Sequence, residues 1–160
     1  MSKKGYSGIK RSDKSGLIDR KNYETGVEYE VTKLYDVKFI PDEKGRYRDE
    51  AGNRFRREEI MTESKGFSAV KKSPEGTRIK VHMQEYYSGS RHLIPEHDEY
   101  YEIRSFPTRK NTLDLDFIGN YPKEIYHSGT SGTVMHTAKD VQRHLLFATK
   151  ITIYKPKGSK

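Results

Sequence analysis

Five residues chosen from the segment 82–104 have side chains of types that could support proton transfer at a phosphate. The candidate catalytic residues are His82, His92, Glu96, His97 and Arg104. A metal-independent nuclease needs a general base, a general acid and a cation for the phosphate, and these residue types commonly fill those roles. Any basic, β-rich chain offers the same residue types. A small, toxin-like nuclease is therefore an alternative hypothesis rather than the leading one.

Four arginines flank a five-residue loop within residues 46–56. The sequence reads Arg-Tyr-Arg, then Asp-Glu-Ala-Gly-Asn, then Arg-Phe-Arg. Gly52 and Asn53 tolerate positive φ, which suits the loop of a β-hairpin. A symmetric hairpin places Tyr47 opposite Phe55 and gathers the arginines on the other face. Those arginines are Arg46, Arg48, Arg54 and Arg56.

The predicted arginine face allows two interpretations. Like charges directly opposite each other in a hairpin are destabilising, by a few tenths to about 1 kcal/mol per pair. Nearby acids could offset that repulsion; the candidates are Asp49, Glu50, Glu58 and Glu59. An external phosphate or carboxylate could also do so, because guanidinium forks match both groups. The first interpretation gives a solvated surface and the second gives a binding surface.

The net charge of +8 lies in the two ends of the chain. Residues 1–22 carry seven basic and two acidic side chains, and residues 150–160 carry four lysines and no acid. The rest of the chain is close to neutral. Basic arms commonly contact nucleic acid or an acidic protein surface, although they can also act only as solubilising tails. The candidate binding residues in the arms are Lys3, Lys4, Lys10, Arg11, Lys155 and Lys157.

The composition excludes several classes of protein. The absence of cysteine excludes disulfides and thiolate chemistry. No apolar run approaches the length of a transmembrane helix, and no secretory signal opens the chain. We therefore expect no membrane partner and a cytoplasmic location. For a phage-encoded protein, the location would be the host cytoplasm or the virion. Asp114 and Asp116 could present paired carboxylates to a cation. Both also fit the polar half of an alternating strand, and we predict neither a metal nor a cofactor.

Period-two alternation of apolar residues predicts a β-rich fold. It runs through residues 27–40, with Val27 inward, and returns at 78–84, where Ile79, Val81 and Met83 point inward. Three further strands are predicted from the same alternation. Their inward-facing residues are Tyr101 and Ile103, then Leu113, Leu115 and Phe117, and then Ile151 and Ile153. Twelve tyrosines add ring area to a core that is otherwise thin.

One helix is predicted over residues 138–149. Thr137 and Asp140 have the spacing of a capping box, and Val141, Leu145 and Ala148 fall on one helical face. Residues 57–64 are predicted to add a short helical turn. The fold class is therefore α+β: mainly antiparallel β sheet built from hairpins, with one C-terminal helix and a final short strand. The predicted domains are a basic extended arm at 1–22, a single β-rich domain at 23–154 and a basic tail at 155–160.

Three hypotheses for function follow. The leading one is a non-enzymatic binding or structural protein, an accessory or structural subunit of a nucleoprotein or phage-type assembly. Its arms and arginine hairpin would contact nucleic acid, an acidic protein surface or other subunits. The alternatives are the nuclease described above and a protein inhibitor of a nucleic-acid enzyme.

Overall fold

The computed structural model describes the greater part of the chain. The described residues are 15–31, 46–49, 51–56, 65–87, 93–104, 112–122, 133–135, 137, 140–141, 145 and 147–158. The elements within these ranges are β1 (Val27–Glu30), β2 (Arg46–Arg48), β3 (Arg54–Arg56), α1 (Lys65–Lys72), β4 (Arg78–Met83), β5 (Tyr86–Tyr87), β6 (Leu93–Ile94), β7 (His97–Arg104), β8 (Leu113–Tyr121), β9 (Thr133–Met135) and β10 (Ala148–Tyr154).

The main feature is a six-stranded sheet with the order β1-β10-β4-β7-β8-β9. Every neighbouring pair in this sheet is antiparallel. Two small sheets accompany it, β2 with β3 and β5 with β6. The predicted mainly antiparallel β architecture is confirmed. In the described part of the chain, no helix is long and apolar enough to cross a membrane.

The two faces of the sheet follow the alternation of the sequence. One face, here called the inner face, carries the main hydrophobic core, with Ile79, Val81, Ile151 and Leu115 almost completely buried. The inward positions predicted at 79, 81, 83, 101, 103, 113, 115, 151 and 153 are all buried. Phe117 is only partly buried. Val27 has the predicted phase, opposite Ile153, but on the edge strand β1 it keeps 52% of its surface exposed, whereas Tyr29 and Val31 of the same phase pack against the core.

Helix α1 was not predicted. It contacts β1 and β10 and buries Phe67 and Val70. These two residues lie three positions apart and are the main apolar side chains of a segment that is otherwise rich in lysine and small residues. Two apolar residues are too few to show a helical periodicity in the sequence. The helical turn predicted at 57–64 lies outside the described residues.

The predicted C-terminal helix is confirmed at its start and wrong at its end. The Thr137 N–H donates to Asp140 Oδ2 at 2.9 Å and the Asp140 N–H donates to Thr137 Oγ1 at 3.2 Å, which is the predicted capping box. Val141 and Leu145 are buried. Ala148 and Thr149, however, belong to β10. Hydrogen bonding of this segment to β4 overrides its helical pattern.

The face opposite the core, here called the outer face, is crossed by residues 15–24, which we name the strap. Ile18 packs against Tyr100 and Tyr154 in a second apolar cluster. Arg78 donates a hydrogen bond to the Leu17 carbonyl. The strap therefore includes residues 15–22 of the predicted arm and holds them on the sheet. The division of the chain into arm, domain and tail stays a prediction.

Gly26 provides a test of how closely β1 and β10 approach. A Cβ atom at this position would lie 2.6 Å from both Thr152 Cγ2 and Tyr154 Cε1. We expect Gly26→Ala to lower the free energy of unfolding by about 1–3 kcal/mol, because the packed side chains of Thr152 and Tyr154 must shift to admit the methyl group. Chemical denaturation measures this loss. Ser68→Ala on the exposed surface of α1 is the control and should change stability by less than about 0.5 kcal/mol. Equal stability of the two variants would contradict the described packing.

Candidate functional site

The arginine hairpin has the predicted register. Arg46 pairs with Arg56, Tyr47 with Phe55, and Arg48 with Arg54. Gly52 has φ +90° in the connecting loop, a value that glycine adopts without strain. The loop is closed by a hydrogen bond from the Asp49 N–H to the Asn53 carbonyl at 3.0 Å. The register of the hairpin therefore follows from its local sequence.

The same hydrogen bond identifies which cross-strand pairs are closest. Asp49 and Asn53 form a hydrogen-bonded pair, and such pairs alternate along an antiparallel ladder. Arg48 and Arg54 are consequently a non-hydrogen-bonded pair, the type in which Cα atoms lie about 4.5 Å apart and side chains approach most closely. Both arginines are exposed. Two guanidinium groups therefore project together into solvent.

Asp49, which follows Arg48 in the chain, directs its carboxylate to Asn53 and forms no ion pair with Arg48 or Arg54. Asp49 Oδ1 accepts the Asn53 N–H at 2.8 Å, and Asp49 Oδ2 accepts the Asn53 side-chain N–H at 3.0 Å. These hydrogen bonds, the side-chain one first, lower the pKa of Asp49. Arg48 and Arg54 form no ion pair with any carboxylate of the described residues. The other candidate acids, Glu50, Glu58 and Glu59, lie outside that part of the chain.

Tyr47 anchors the hairpin to the core. Only 3% of its surface is exposed. Its ring meets the ring of Phe147 edge to face at a centroid distance of 6.4 Å, and Phe147 stacks on Tyr86 at 4.5 Å. Phe55 is partly buried against the same cluster. Because the aromatic face of the hairpin is held in this way, Arg48 and Arg54 are left on the side that faces solvent.

His82 lies on the outer face, where two carboxylates engage its ring. Asp98 is its cross-strand partner, and His82 Nδ1 lies 2.7 Å from Asp98 Oδ1. His82 Nε2 lies 2.5 Å from Glu96 Oε2. The hydrogen bond to Asp98 raises the pKa of His82 above its usual value against the opposing effect of burial, and Glu96 adds to the rise. The arrangement favours an imidazolium that donates from both nitrogens.

His97 lies on the inner face in a buried polar network. Its side chain is 0% exposed and that of Glu99 is 1% exposed. His97 Nε2 is 2.9 Å from Glu99 Oε2, and His97 Nδ1 is 2.7 Å from the Pro95 carbonyl. The Tyr101 hydroxyl donates to Glu99 Oε1 at 2.6 Å. The three side chains follow one another at every second residue of β7 and therefore share a face.

The protonation of this network follows from its contacts. Burial lowers the pKa of His97, but the hydrogen bonds to Glu99 and to the Pro95 carbonyl outweigh it, so that the pKa is raised. Burial raises the pKa of Tyr101 well above its usual value, and Glu99 adds to the rise. Tyr101 therefore stays a donor, and the raised pKa of His97 favours a charged imidazolium beside Glu99.

The four catalytic candidates among the described residues do not all lie together. His82 and Glu96 are together on the outer face, but His97 is buried on the inner face opposite Met83. Arg104 is six residues along β7 from Asp98, or about 20 Å at the rise of a strand. His92 lies outside the described residues.

Arg104 belongs to a separate cluster of charges near one end of the outer face. Its Nε lies 3.1 Å from Asp116 Oδ2, and its Nη2 lies 3.7 Å from Glu102 Oε2. Asp114 is buried beside them, and its Oδ1 has no hydrogen-bond partner among the described residues. Burial raises the pKa of Asp114, with a further rise from Asp116. Within the described residues, no group of three or more histidines and carboxylates is placed to hold a metal ion.

Two of the residues that matter most here were missed in the sequence. Asp98 and Glu99 complete the contacts of His82 and His97, but neither was predicted as a partner of these histidines. Their strand was predicted only at Tyr101 and Ile103, and its extension back to His97 would have placed Glu99 on the inner face. Among the predicted arm residues, Lys155 and Lys157 are exposed. Lys3, Lys4, Lys10 and Arg11 lie outside the described residues.

Comparison with protein-family models, with curated proteins and with solved structures gives no match to this chain.

The His82 contacts predict a pH-dependent contribution to stability. A histidine whose pKa is raised on folding stabilises the protein fully below its unfolded value, here taken as 6.5, and loses that contribution as the pH rises through the folded pKa. We expect His82→Gln to lower the free energy of unfolding most near pH 5.5 and least near pH 9. Denaturant titrations across that range measure it. The same substitution in an Asp98→Asn background should show a weaker pH dependence, and a constant difference across the range would contradict the proposed imidazolium.

The buried pair predicts a large loss from a nearly isosteric change. Glu99→Gln leaves the His97 imidazolium without its negative partner, and breaking a buried pair typically costs about 3–5 kcal/mol. The free energy of unfolding at pH 7 measures this. Glu28→Gln is the matched control, because Glu28 pairs with Lys150 at 3.4 Å on the solvated outer face. The control should cost less than about 1 kcal/mol. A small loss for Glu99→Gln would show that the pair carries no charge.

Proposed function

We propose that the protein is a non-enzymatic nucleic-acid-binding protein whose arginine hairpin contacts the phosphate backbone. The observation that carries the proposal is the close, exposed Arg48–Arg54 pair, which has no acidic partner in the described residues. A bound phosphate would relieve the repulsion between the two guanidinium groups. The free hairpin thus has an unfavourable charge arrangement that the complex would remove.

The geometry of the hairpin suits a phosphate backbone. Arginine presents a planar fork of donors that matches phosphate oxygens two at a time. Arg48 and Arg54 face each other across the ribbon, so that both forks can reach one phosphate or two adjacent phosphates. A two-stranded ribbon is also narrow enough to enter the major groove of DNA. The carboxylates of an acidic protein surface are not spaced regularly, as the phosphates of a nucleic-acid backbone are.

The rigid attachment of the hairpin supports the same proposal. The buried ring of Tyr47 and the partly buried ring of Phe55 fix the orientation of the ribbon on the core. Binding would therefore order little more than the arginine side chains. A preorganised surface binds more tightly, because less conformational entropy is lost on binding.

The nuclease hypothesis lacks a comparable observation. A general base needs an available nitrogen, whereas both ring nitrogens of His82 face carboxylates and His97 is 0% exposed. The binding proposal is therefore preferred. The protein would serve as an accessory or structural subunit of a nucleoprotein or phage-type assembly, with other subunits as additional partners.

The proposal predicts a specific effect of Arg48→Gln/Arg54→Gln. We expect this variant to bind a fluorescently labelled 20-nucleotide single strand about tenfold more weakly, because two charge-assisted hydrogen-bonding groups are removed. The slope of log K against log salt should fall by about 0.7 for each phosphate that is no longer neutralised. Fluorescence anisotropy over a range of salt concentrations measures both quantities.

The control removes equal charge elsewhere. Lys65→Gln/Lys72→Gln changes two exposed lysines of α1 and should weaken binding much less. Arg48→Lys/Arg54→Lys keeps the charge and should still lower the affinity if the guanidinium fork matters. If the hairpin and helix variants lowered the affinity equally, binding would depend only on the net charge of the protein, and the proposal would be overturned. Shortening of the labelled strand would instead support the nuclease.

A further inference from the structure

The two basic ends of the chain are joined by backbone hydrogen bonds. Tyr23 forms an antiparallel bridge with Pro156. The Glu24 N–H donates to the Lys155 carbonyl at 2.8 Å, and the Lys157 N–H donates to the Asn22 carbonyl at 2.8 Å. The sequence suggests two separate arms, but the structure places the strap and the start of the tail side by side.

Alternation along this short ladder separates its side chains into two sets. Tyr23 and Pro156 are partly buried, and Tyr23 lies under the guanidinium of Arg78, which is 5.3 Å from the ring centroid. Asn22, Glu24, Lys155 and Lys157 are exposed, with Glu24 opposite Lys155. Lys155 and Lys157 are two residues apart and therefore project on the same side, away from the sheet.

A tight turn adds two further cations beside them. Asp19 Oδ1 accepts the Lys21 N–H at 2.9 Å, and Asp19 Oδ2 accepts the Asn22 side-chain N–H at 2.9 Å. The backbone N–H groups of Asn22 and Tyr23 both donate to the Asp19 carbonyl at 2.9 Å. These bonds fix the turn that carries Arg20 and Lys21, both of which are exposed.

The resulting surface has an excess of positive charge. Its cations are Arg20, Lys21, Lys155 and Lys157, and its acids are Asp19 and Glu24. The Asp19 carboxylate is occupied in the turn, and none of the four cations is ion-paired with a carboxylate of the described residues. We name these four side chains the terminal patch.

We infer that the terminal patch is a second phosphate-binding site, in which the two ends of the chain act as one surface on a nucleic-acid backbone. The inference rests on the proposed function for its ligand. It adds Arg20 and Lys21 as binding residues and assigns Lys155 and Lys157 to a composite site rather than to an independent tail.

The terminal patch is distinct from the arginine hairpin. The hairpin is anchored at Phe147, immediately before β10, whereas the patch starts at Lys155, immediately after it. The seven residues of β10 span about 23 Å at the rise of a strand. At 0.15 M salt the Debye length is about 8 Å, so the two surfaces act as separate electrostatic sites.

A double-mutant cycle tests whether the two ends form one site. Its variants are Arg20→Gln/Lys21→Gln, Lys155→Gln/Lys157→Gln and their combination. The probe is a labelled 20-nucleotide single strand at 0.15 M salt. Each pair variant should bind about tenfold more weakly, and its salt slope should fall by about 0.7 for each phosphate that it leaves unneutralised. The combination should weaken binding by less than the product of the two effects, because removal of one half leaves the other half poorly placed.

The control cycle combines Arg20→Gln/Lys21→Gln with Lys65→Gln/Lys72→Gln on α1, and its effects should multiply as independent sites do. Charge substitution is preferable to deletion of residues 1–22, since deletion would also remove Ile18 from its contacts with Tyr100 and Tyr154. Circular dichroism melting curves check that all variants fold.

The outcomes separate the inference from the proposed function. Multiplicative effects in both cycles, or no effect of Lys155→Gln/Lys157→Gln, would overturn the composite site even if the hairpin binds. Weaker binding by the terminal variants with unchanged binding by Arg48→Gln/Arg54→Gln would support the site and overturn the role of the hairpin. No binding of any strand by the wild-type protein, with binding of an acidic polypeptide instead, would overturn both.

Discussion

The hydrogen-bonded pairing of β10 with β1 on one side and β4 on the other positions both basic surfaces of this protein. Ile151 and Ile153 of β10 lie opposite Val81 and Ile79 of β4, and these four side chains are almost fully buried. Immediately before the strand, Phe147 contacts Tyr47 of the hairpin. Immediately after it, residues 155–157 pair with the strap. Each basic surface is therefore attached to one end of the same buried strand.

The sequence allowed prediction where the structure depends on local pattern. The register of the arginine hairpin follows from the symmetry of Arg-Tyr-Arg and Arg-Phe-Arg about a loop that contains Gly52. The capping box at Thr137 and Asp140 depends on a spacing of three residues. The buried apolar positions of β4, Ile79, Val81 and Met83, follow from alternation, whereas the burial of Lys80 on the other face does not. In each case the residues that determine the feature are adjacent or nearly so.

The sequence did not allow prediction where distant segments meet. Ala148 continues an apparent helical face, but pairing with β4 draws it into a strand. Glu99 is an acid whose burial depends on His97 and Tyr101 sharing the inner face of β7. The bridge between the strap and the tail joins residues that are more than 130 positions apart, and no local pattern records it. These features belong to tertiary structure, which propensity and periodicity do not contain.

The distribution of charge explains why binding is assigned to the hairpin and the termini rather than to the sheet. On the outer face, cations are matched by acids on the same or a neighbouring strand: Arg78 with Glu102, Arg104 with Asp116, Lys150 with Glu28, and His82 with Asp98. A phosphate approaching any of these cations would have to compete with a carboxylate already in place. The exposed cations of the hairpin pair Arg48–Arg54 and of the terminal patch carry no such ion pairs with the described acids.

The distribution of charge stabilises the sheet but destabilises the arginine hairpin. Cross-strand pairs of opposite charge contribute modestly to sheet stability, whereas the Arg48–Arg54 pair of like charge opposes hairpin formation. The hairpin persists because the rings of Tyr47 and Phe55 are held in the core. Burial of two aromatic side chains is worth several times the repulsion between exposed guanidinium groups. The core can therefore maintain a charged surface that would not be stable in isolation, and such a surface is available to a polyanionic partner.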